Sequence, residues 1–200
     1  PRPVKEWALS LDKIASLQPE FLIPSHTAAI KGKENVQKVL QSHSEAIKYV
    51  YNKTIDAINA GLTADEAVQN IHLPSHLVDL PQLKEVYGRV DWSIRGIYQK
   101  ETGWYNGNGT NLNPLPKNYL ASEVVEISGG ADKLLQRAID LQIAGEHQLV
   151  CEICDIVIHA NPKDKMAYFI KSHSLDYLGY MHGNANMFGF YRSAAAKQRE

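Results

Sequence analysis

The sequence predicts a mainly α fold, with a short α/β piece at its start and a tetratricopeptide-like helical hairpin near its end. Three observations point that way. Apolar residues recur at threes and fours from Glu34 to Ala60 with few breakers. Gly145, Val150, Val157 and Pro162 fall at spacings typical of a tetratricopeptide repeat. The run Phe21-Leu22-Ile23, bounded by prolines, fits one short buried strand.

Taken in order, Trp7, Leu11, Ile14 and Leu17 are spaced for one face of a helix over 5–17, and Gln18-Pro19 ends it. After the strand, Pro24-Ser25-His26-Thr27 puts a histidine in a loop at a strand end, a suitable place for a metal or catalytic role. The next pattern carries Val36, Val39, Leu40, Ile47, Val50, Tyr51, Ile55 and Ile58, and Gly61 stops it. A helix of about 27 residues extends roughly 40 Å, more than a small domain covers. A facing subunit and neighbouring helices of the same chain are equally good partners for it. Thr63-Ala64-Asp65-Glu66 reads as a capping box opening a second helix through Ile71. Leu73 to Leu77 and Leu80-Pro81 form a kinked connector. Pro74 breaks any helix that would align His72 with His76. A further helix is expected over Gln82 to Lys100, then a loop over Gly103 to Pro116. Gly129-Gly130 opens a helical series in which Leu134, Leu135, Ala138, Leu141 and Gln142 pattern the first helix. Ala167, Ile170, Leu175 and Leu178 pattern a later one. Only about one and a half repeats are visible, which makes an integrated helical annex rather than a solenoid. The terminal residues 194–200 favour helix but offer little to bury, so fraying is expected.

Composition removes several functional classes. A net charge of −1 gives no electrostatic case for nucleic acid or an anionic membrane surface. No apolar run reaches the roughly 20 residues that span a bilayer. The opening residues, Pro1-Arg2-Pro3-Val4-Lys5, lead straight into a polar helix-like segment without a signal-peptide pattern. A start on Pro without Met is what a processed or excised piece shows. Cys151 and Cys154 form a lone C-x-x-C inside an apolar helical run with no second ligand pair, and read as buried thiols acting as small hydrophobes.

The stretch richest in chemistry is mid-chain. Trp92, Arg95 and Tyr98 follow at threes and so project from one side of a helix. A guanidinium between aromatic rings can hold an anion bidentately while the rings shield it from water. Gly107 and Gly109, within Asn106-Gly107-Asn108-Gly109, would let the chain turn sharply and bring backbone N–H groups near a ligand. Read as packing alone, the aromatics instead enter the core and the arginines pair with Asp91, Glu85 or Glu101.

Residues 87–108, YGRVDWSIRGIYQKETGWYNGN, resemble the corresponding segment of the linear alkylsulfatases, the sulfatases of the metallo-β-lactamase superfamily. Residues 10–32, SLDKIASLQPEFLIPSHTAAIKG, resemble the end of that family's catalytic domain, and Asn184-Ala185-Asn186 with Tyr191 resembles the segment closing its dimerisation domain. The resemblance implies a C-terminal end of a metallo-β-lactamase-like catalytic domain over 1–32 and an all-helical dimerisation domain over 33–200. It implies a homodimer and a primary alkyl sulfate as small-molecule substrate. It makes His26 a zinc ligand and Arg95 the sulfate-binding candidate, with Arg89 a second choice and Trp92, Tyr98 and Trp104 lining the entrance. The family's metal motif, H-x-H-x-D-H, does not occur here, so this chain would carry at most one ligand of a two-zinc site and no catalytic residue of its own. Alone it is expected to be inactive; the alternative reading is a non-enzymatic helical interaction module with the tetratricopeptide-like hairpin as its working surface.

Overall fold

The first helix, α1 (Val4–Ser16), lies along the longest one, α2 (Lys33–Asn59). The structure, a computed structural model, describes residues 3–199; Pro1, Arg2 and Glu200, and with them part of the polar opening and the last residue of the tail, lie outside the described residues. Gln18 enters the left-handed region at φ 50°, and Pro19 cannot continue the helix, so α1 stops where the sequence indicated. Polar bonds fasten it to α2: Gln37 donates to the Ala15 carbonyl (2.6 Å), Ser44 to Asp12 (2.5 Å) and Lys48 to Asp12 (2.6 Å).

Between these helices β1 (Phe21–Leu22) pairs antiparallel with β2 (Ile30–Lys31), Phe21 opposite Lys31 and Leu22 opposite Ile30. The strand is where it was expected, but it is not buried: Phe21 is 59% and Ile23 82% exposed. Two residues per strand make a ribbon with no further strand beside it among the described residues, so the apolar run stays at the surface.

Helix α2 ends at Gly61, whose φ of 76° suits only glycine without strain. Its apolar residues are buried or half-buried against this same chain, so neighbouring helices supply one of the two expected partners. Those neighbours are α1 and α5 (Val90–Thr102), and α3 (Ala64–Asn70) packs in turn on α5, with the one-turn α4 (Ser75–Val78) between α3 and α5 in the chain. Val50, Ala57, Ala67, Ile71, Ile94 and Ile97 form their shared core. The capping box is present at both ends: Thr63 Oγ1 accepts from the Glu66 N–H, and Glu66 accepts from the Thr63 N–H at 2.8 Å.

Helix α5 is shorter than the sequence suggested. Residues 81–83 form a 3₁₀ turn, Lys84 and Arg89 are extended, and the helix begins only at Val90, whose N–H is taken by Glu85 Oε1 (2.7 Å). A side chain preceding the first turn thus replaces the helical bond that would have extended it.

The chain divides into two compact units, Pro1–Asn111 and Leu112–Glu200. The second contains α6 (Lys117–Ile127), α7 (Ala131–Ile143), α8 (His147–Ala160), α9 (Lys165–Met181) and α10 (Ala185–Lys197). The sequence reading assigned nothing to α6. Helices α7 and α8 form a hairpin where the repeat-like spacing lies, and α8 packs in turn on α9. Leu135, Ala138, Leu141, Val150, Cys154, Val157, Ala167 and Ile170 make one core, while Cys151, Leu175, Leu178 and Ala195 make another under α10. Helix α10 is capped by Asn184, which accepts from the Met187 N–H at 3.0 Å. The expected fraying is corrected here: Ala195 is fully buried and Arg199 pairs with Asp176, so the tail has a contact surface after all. Both cysteines are free and buried, as expected, and burial pushes Cys151 up to about 11 and Cys154 to about 12.

Candidate functional site

His26 stands in the connection between β1 and β2, exposed, with its ring 5.1 Å from that of Tyr87. That contact joins the hairpin tip to the extended segment ahead of α5. Tyr87 opens the unusual mid-chain stretch but carried no site signal of its own in the sequence, because the partner that gives it meaning lies 61 positions away.

The residues of α5 separate by role. Arg95 points to α3, where Nη1 donates to Asp65 at 2.6 Å, with the arginine 52% and the aspartate 75% exposed. Neither Trp92 nor Tyr98 sandwiches it among the described contacts. Tyr98 donates its hydroxyl to the Leu62 carbonyl at 3.0 Å and is half-buried. Trp92 stays 39% exposed, and Trp104 is 72% exposed, meeting Tyr105 edge-on at 5.9 Å. Gly107, at φ 86°, makes the sharp turn the sequence called for, whereas Gly109 does not take a positive φ and instead begins a 3₁₀ turn, Gly109–Leu112.

Arg89 differs in kind. Its Nε and Nη2 grip the two oxygens of Asp91 at 2.9 and 3.0 Å, and Glu85 lies 3.8 Å from Nη1. Burial works to raise the Asp91 carboxyl, but the Arg89 fork and the Trp92 N–H outweigh it and hold it below the usual carboxylate range. Arg89 therefore has its planar fork committed to a protein carboxylate. It borders a cavity of about 500 Å³ that Ile71, His72, Val78 and Lys84 also line.

An exposed ion pair is worth about 0–1 kcal/mol, because water screens it and both side chains lose freedom. A charge-assisted bidentate bond to an oxyanion is worth about 1.5–3 kcal/mol. Arg95 can exchange Asp65 for an anion at little cost; Arg89 cannot exchange its half-buried Asp91 as easily.

Among the described residues no hydrogen bond, ion pair or ring contact joins His26 to Arg95, Trp92, Tyr98 or Trp104. Nor does any group of three or more His, Cys, Asp and Glu side chains among them suit a metal ion. The described residues do not by themselves fit a zinc site; His26 could give one imidazole.

A polar cluster that sequence reasoning missed lies inside the second unit. Gln142 donates to the Ile170 carbonyl (3.2 Å) and to Ser174 Oγ (2.8 Å), and Ser174 sits 3.2 Å from His147 Nδ1. The His147 ring stacks on Tyr177 at 3.8 Å. Burial lowers the His147 pKa. One glutamine, one serine and one histidine on three helices have no sequence spacing that would announce them.

A family model described as alkyl sulfatase dimerisation matches residues 63–200. The chain belongs to that family. It is 37% identical to a linear primary-alkylsulfatase from Pseudomonas sp. over 190 residues, covering 94% of this chain and 36% of the relative. An (R)-specific secondary-alkylsulfatase from Pseudomonas sp. is 28% identical over 204 residues, covering 99% of this chain and 30% of that one. The solved structure of the stereoselective inverting sec-alkylsulfatase Pisa1 from Pseudomonas sp. superposes with a TM-score of 0.91 at 26% identity, over 98% of this chain and 32% of that chain. The alkylsulfatase-like chain thus spans about a third of the length of the curated relatives it matches. Among its described residues no helix is long and apolar enough to cross a membrane.

Proposed function

We propose that this chain is the dimerising part of a zinc-dependent alkylsulfatase that hydrolyses primary alkyl sulfates, such as dodecyl sulfate, to alcohol and inorganic sulfate. The observation that carries the reading is the 37% identity to a linear primary-alkylsulfatase along nearly all of this chain. Family membership over residues 63–200 supports a homodimer built by the helical part. His26, exposed at a hairpin tip, would give one nitrogen to a zinc ion whose other ligands come from polypeptide beyond these 200 residues. Arg95 would hold the sulfate oxygens, with exposed Trp92 and Trp104 giving the alkyl chain an apolar approach. Tyr98, its hydroxyl tied to the Leu62 carbonyl, would hold α5 in place rather than touch substrate with its oxygen.

The test is sulfate release from dodecyl sulfate by a polypeptide of the relatives' full length that contains this sequence. Arg95→Ala is expected to lower kcat/KM by about tenfold or more, one lost charge-assisted contact's worth. Its unfolding midpoint should barely move, since the only described partner lost is exposed Asp65. The 200-residue chain alone is expected to release no sulfate. Turnover undiminished by Arg95→Ala would remove that side chain from the site, and absence of sulfate release by the long polypeptide would end the alkylsulfatase reading.

A further inference from the structure

The loop that follows α5 holds both Asn-Gly pairs of this sequence, Asn106-Gly107 and Asn108-Gly109, and all of these residues are exposed. Every other asparagine is followed by a residue with a side chain. From Thr102 to Pro116 no side chain carries a formal charge.

A backbone nitrogen just after an asparagine can close a succinimide ring on the carboxamide carbon once it gives up its proton. Glycine leaves that approach open, because it has no Cβ. Apart from the adjoining residues, no atom lies within 4 Å of where a Cβ would stand on Gly107 or Gly109. Among the described residues no hydrogen bond takes the N–H of either glycine. The carbonyl side is prepared as well. The Asn108 N–H donates to Asn106 Oδ1 at 3.2 Å, and the Thr110 N–H donates to Asn108 Oδ1 at 3.1 Å. Each donor meets the negative charge that Oδ1 takes on as the attacked carbon becomes tetrahedral. Asn52 shows the opposite case: inside α2, the Lys53 N–H belongs to the helical ladder. Asn113 precedes Pro114, which has no N–H at all.

We propose that this loop is a site of spontaneous deamidation, at Asn106 first and Asn108 second, with water as the only co-reactant. The Gly107 nitrogen bonds to Asn106 Cγ, the Cγ–Nδ2 bond breaks, and ammonia leaves with the proton that Gly107 surrendered. Water then opens the ring. Breaking the new bond to Cγ gives aspartate; breaking the bond to the main-chain carbonyl carbon gives isoaspartate, whose backbone runs through Cβ. In sum, an amide and water become a carboxylic acid and ammonia. Gly109 acts on Asn108 in the same way. The order follows from the turn. The Asn108 carbonyl accepts from the Asn111 N–H at 2.9 Å, and Gly109 opens the 3₁₀ turn, so ring closure there must disturb both. No described backbone bond holds the Asn106 carbonyl. Each conversion adds one negative charge to a chain of net charge −1, beside exposed Trp104 and Tyr105. An uncharged loop thus becomes anionic as the molecule ages.

The experiment incubates the folded 200-residue chain in mildly alkaline buffer and follows its tryptic peptide 101–117 by mass spectrometry, with isoaspartate detected by enzymatic methylation. An Asn106→Gln variant and a free peptide of residues 101–117 are run beside it. The amide-to-acid mass change is expected at Asn106 first and Asn108 later, with isoaspartate among the products. Asn111 and Asn113, in the same exposed segment, are expected to stay amides. Raising the pH should speed conversion, since the glycine nitrogen must lose its proton. Asn106→Gln is expected to abolish the first step and leave helical circular dichroism and the Asn108 step in place. With its Oδ1 already held by a donor, Asn106 should convert in the folded chain at least as fast as in the free peptide. An Asn106 that stays an amide in the folded chain while the peptide converts would overturn the proposal. Conversion of Asn108 ahead of Asn106 would overturn the order and the geometric account behind it.

Discussion

His147 is the first residue of α8, at the positive end of that helix, and its ring is buried between Tyr177 and Ser174. Gln142 donates into Ser174 Oγ, so the serine's own proton is free to point at His147 Nδ1, which then accepts. Protonating that nitrogen replaces an acceptor by a donor, puts a charge in a desolvated place and opposes the helix dipole. The folded-state pKa accordingly lies below the ordinary 6.5. A depressed histidine contributes stability that is present above pH 6.5 and is lost as pH falls from there through the lower folded value. Urea unfolding of the second unit is expected to become easier over that window, and the dependence should flatten in His147→Gln. Ser174→Ala should cost about 1–3 kcal/mol at neutral pH by leaving the imidazole and Gln142 short of a partner in the interior. A midpoint independent of pH between 7 and 5, with His147 intact, would refute this account.

At the scale of single elements the test is α3. It has only seven residues, too few to hold itself together in water, so its ends and its packing decide whether it forms. Ala67 and the following Ile71 bury it against Ile94 and Ile97 of α5, and the Thr63–Glu66 box closes its start. Thr63→Ala is expected to cost about 1 kcal/mol in chemical denaturation of the first unit, while Thr63→Ser should cost a few tenths at most. Equal losses from both would mean that the hydroxyl is not what matters. This element was readable from four consecutive letters because capping is a local code. The run of threes and fours in α2, and the burial of Cys151 and Cys154 on an apolar helix, were readable for the same reason: each is a periodic or short-range signal. The true start of α5 was not, since it depends on Glu85 reaching forward to the Val90 N–H. Helix α6 was hidden by Val124, Val125 and Ile127, β-branched residues with no strong helical preference of their own. Exposure of Phe21 and Ile23 was hidden too, because a strand's burial depends on what covers it. The meeting of His26 with Tyr87, the Asp65 partner of Arg95 and the Gln142–Ser174–His147 cluster all join distant positions, and no spacing rule reaches that far.

On the scale of the molecule, the sequence reading placed its boundary after residue 32, whereas contacts gather the chain into Pro1–Asn111 and Leu112–Glu200, with α1 lying on α2 across residue 32. The two divisions answer different questions: one follows likeness to a catalytic domain, the other follows which side chains touch. The Gly103–Pro116 segment was legible as a loop, but a loop becomes a boundary only when the elements on its two sides have cores of their own. Here they do. Ile94 and Ile97 close the core of the first unit, and Val150, Cys154, Val157 and Ala167, all at 0% exposure, close that of the second. Five helices with two internal clusters meet the minimum a small domain needs to offset its chain entropy. Residues 112–200 expressed alone are therefore expected to be helical and to unfold cooperatively, and Val157→Ala in that piece should cost about 1–3 kcal/mol from the cavity it leaves. A broad, non-cooperative transition in the isolated piece would show that the contacts within it do not suffice, and that the second unit draws its stability from the rest of the chain.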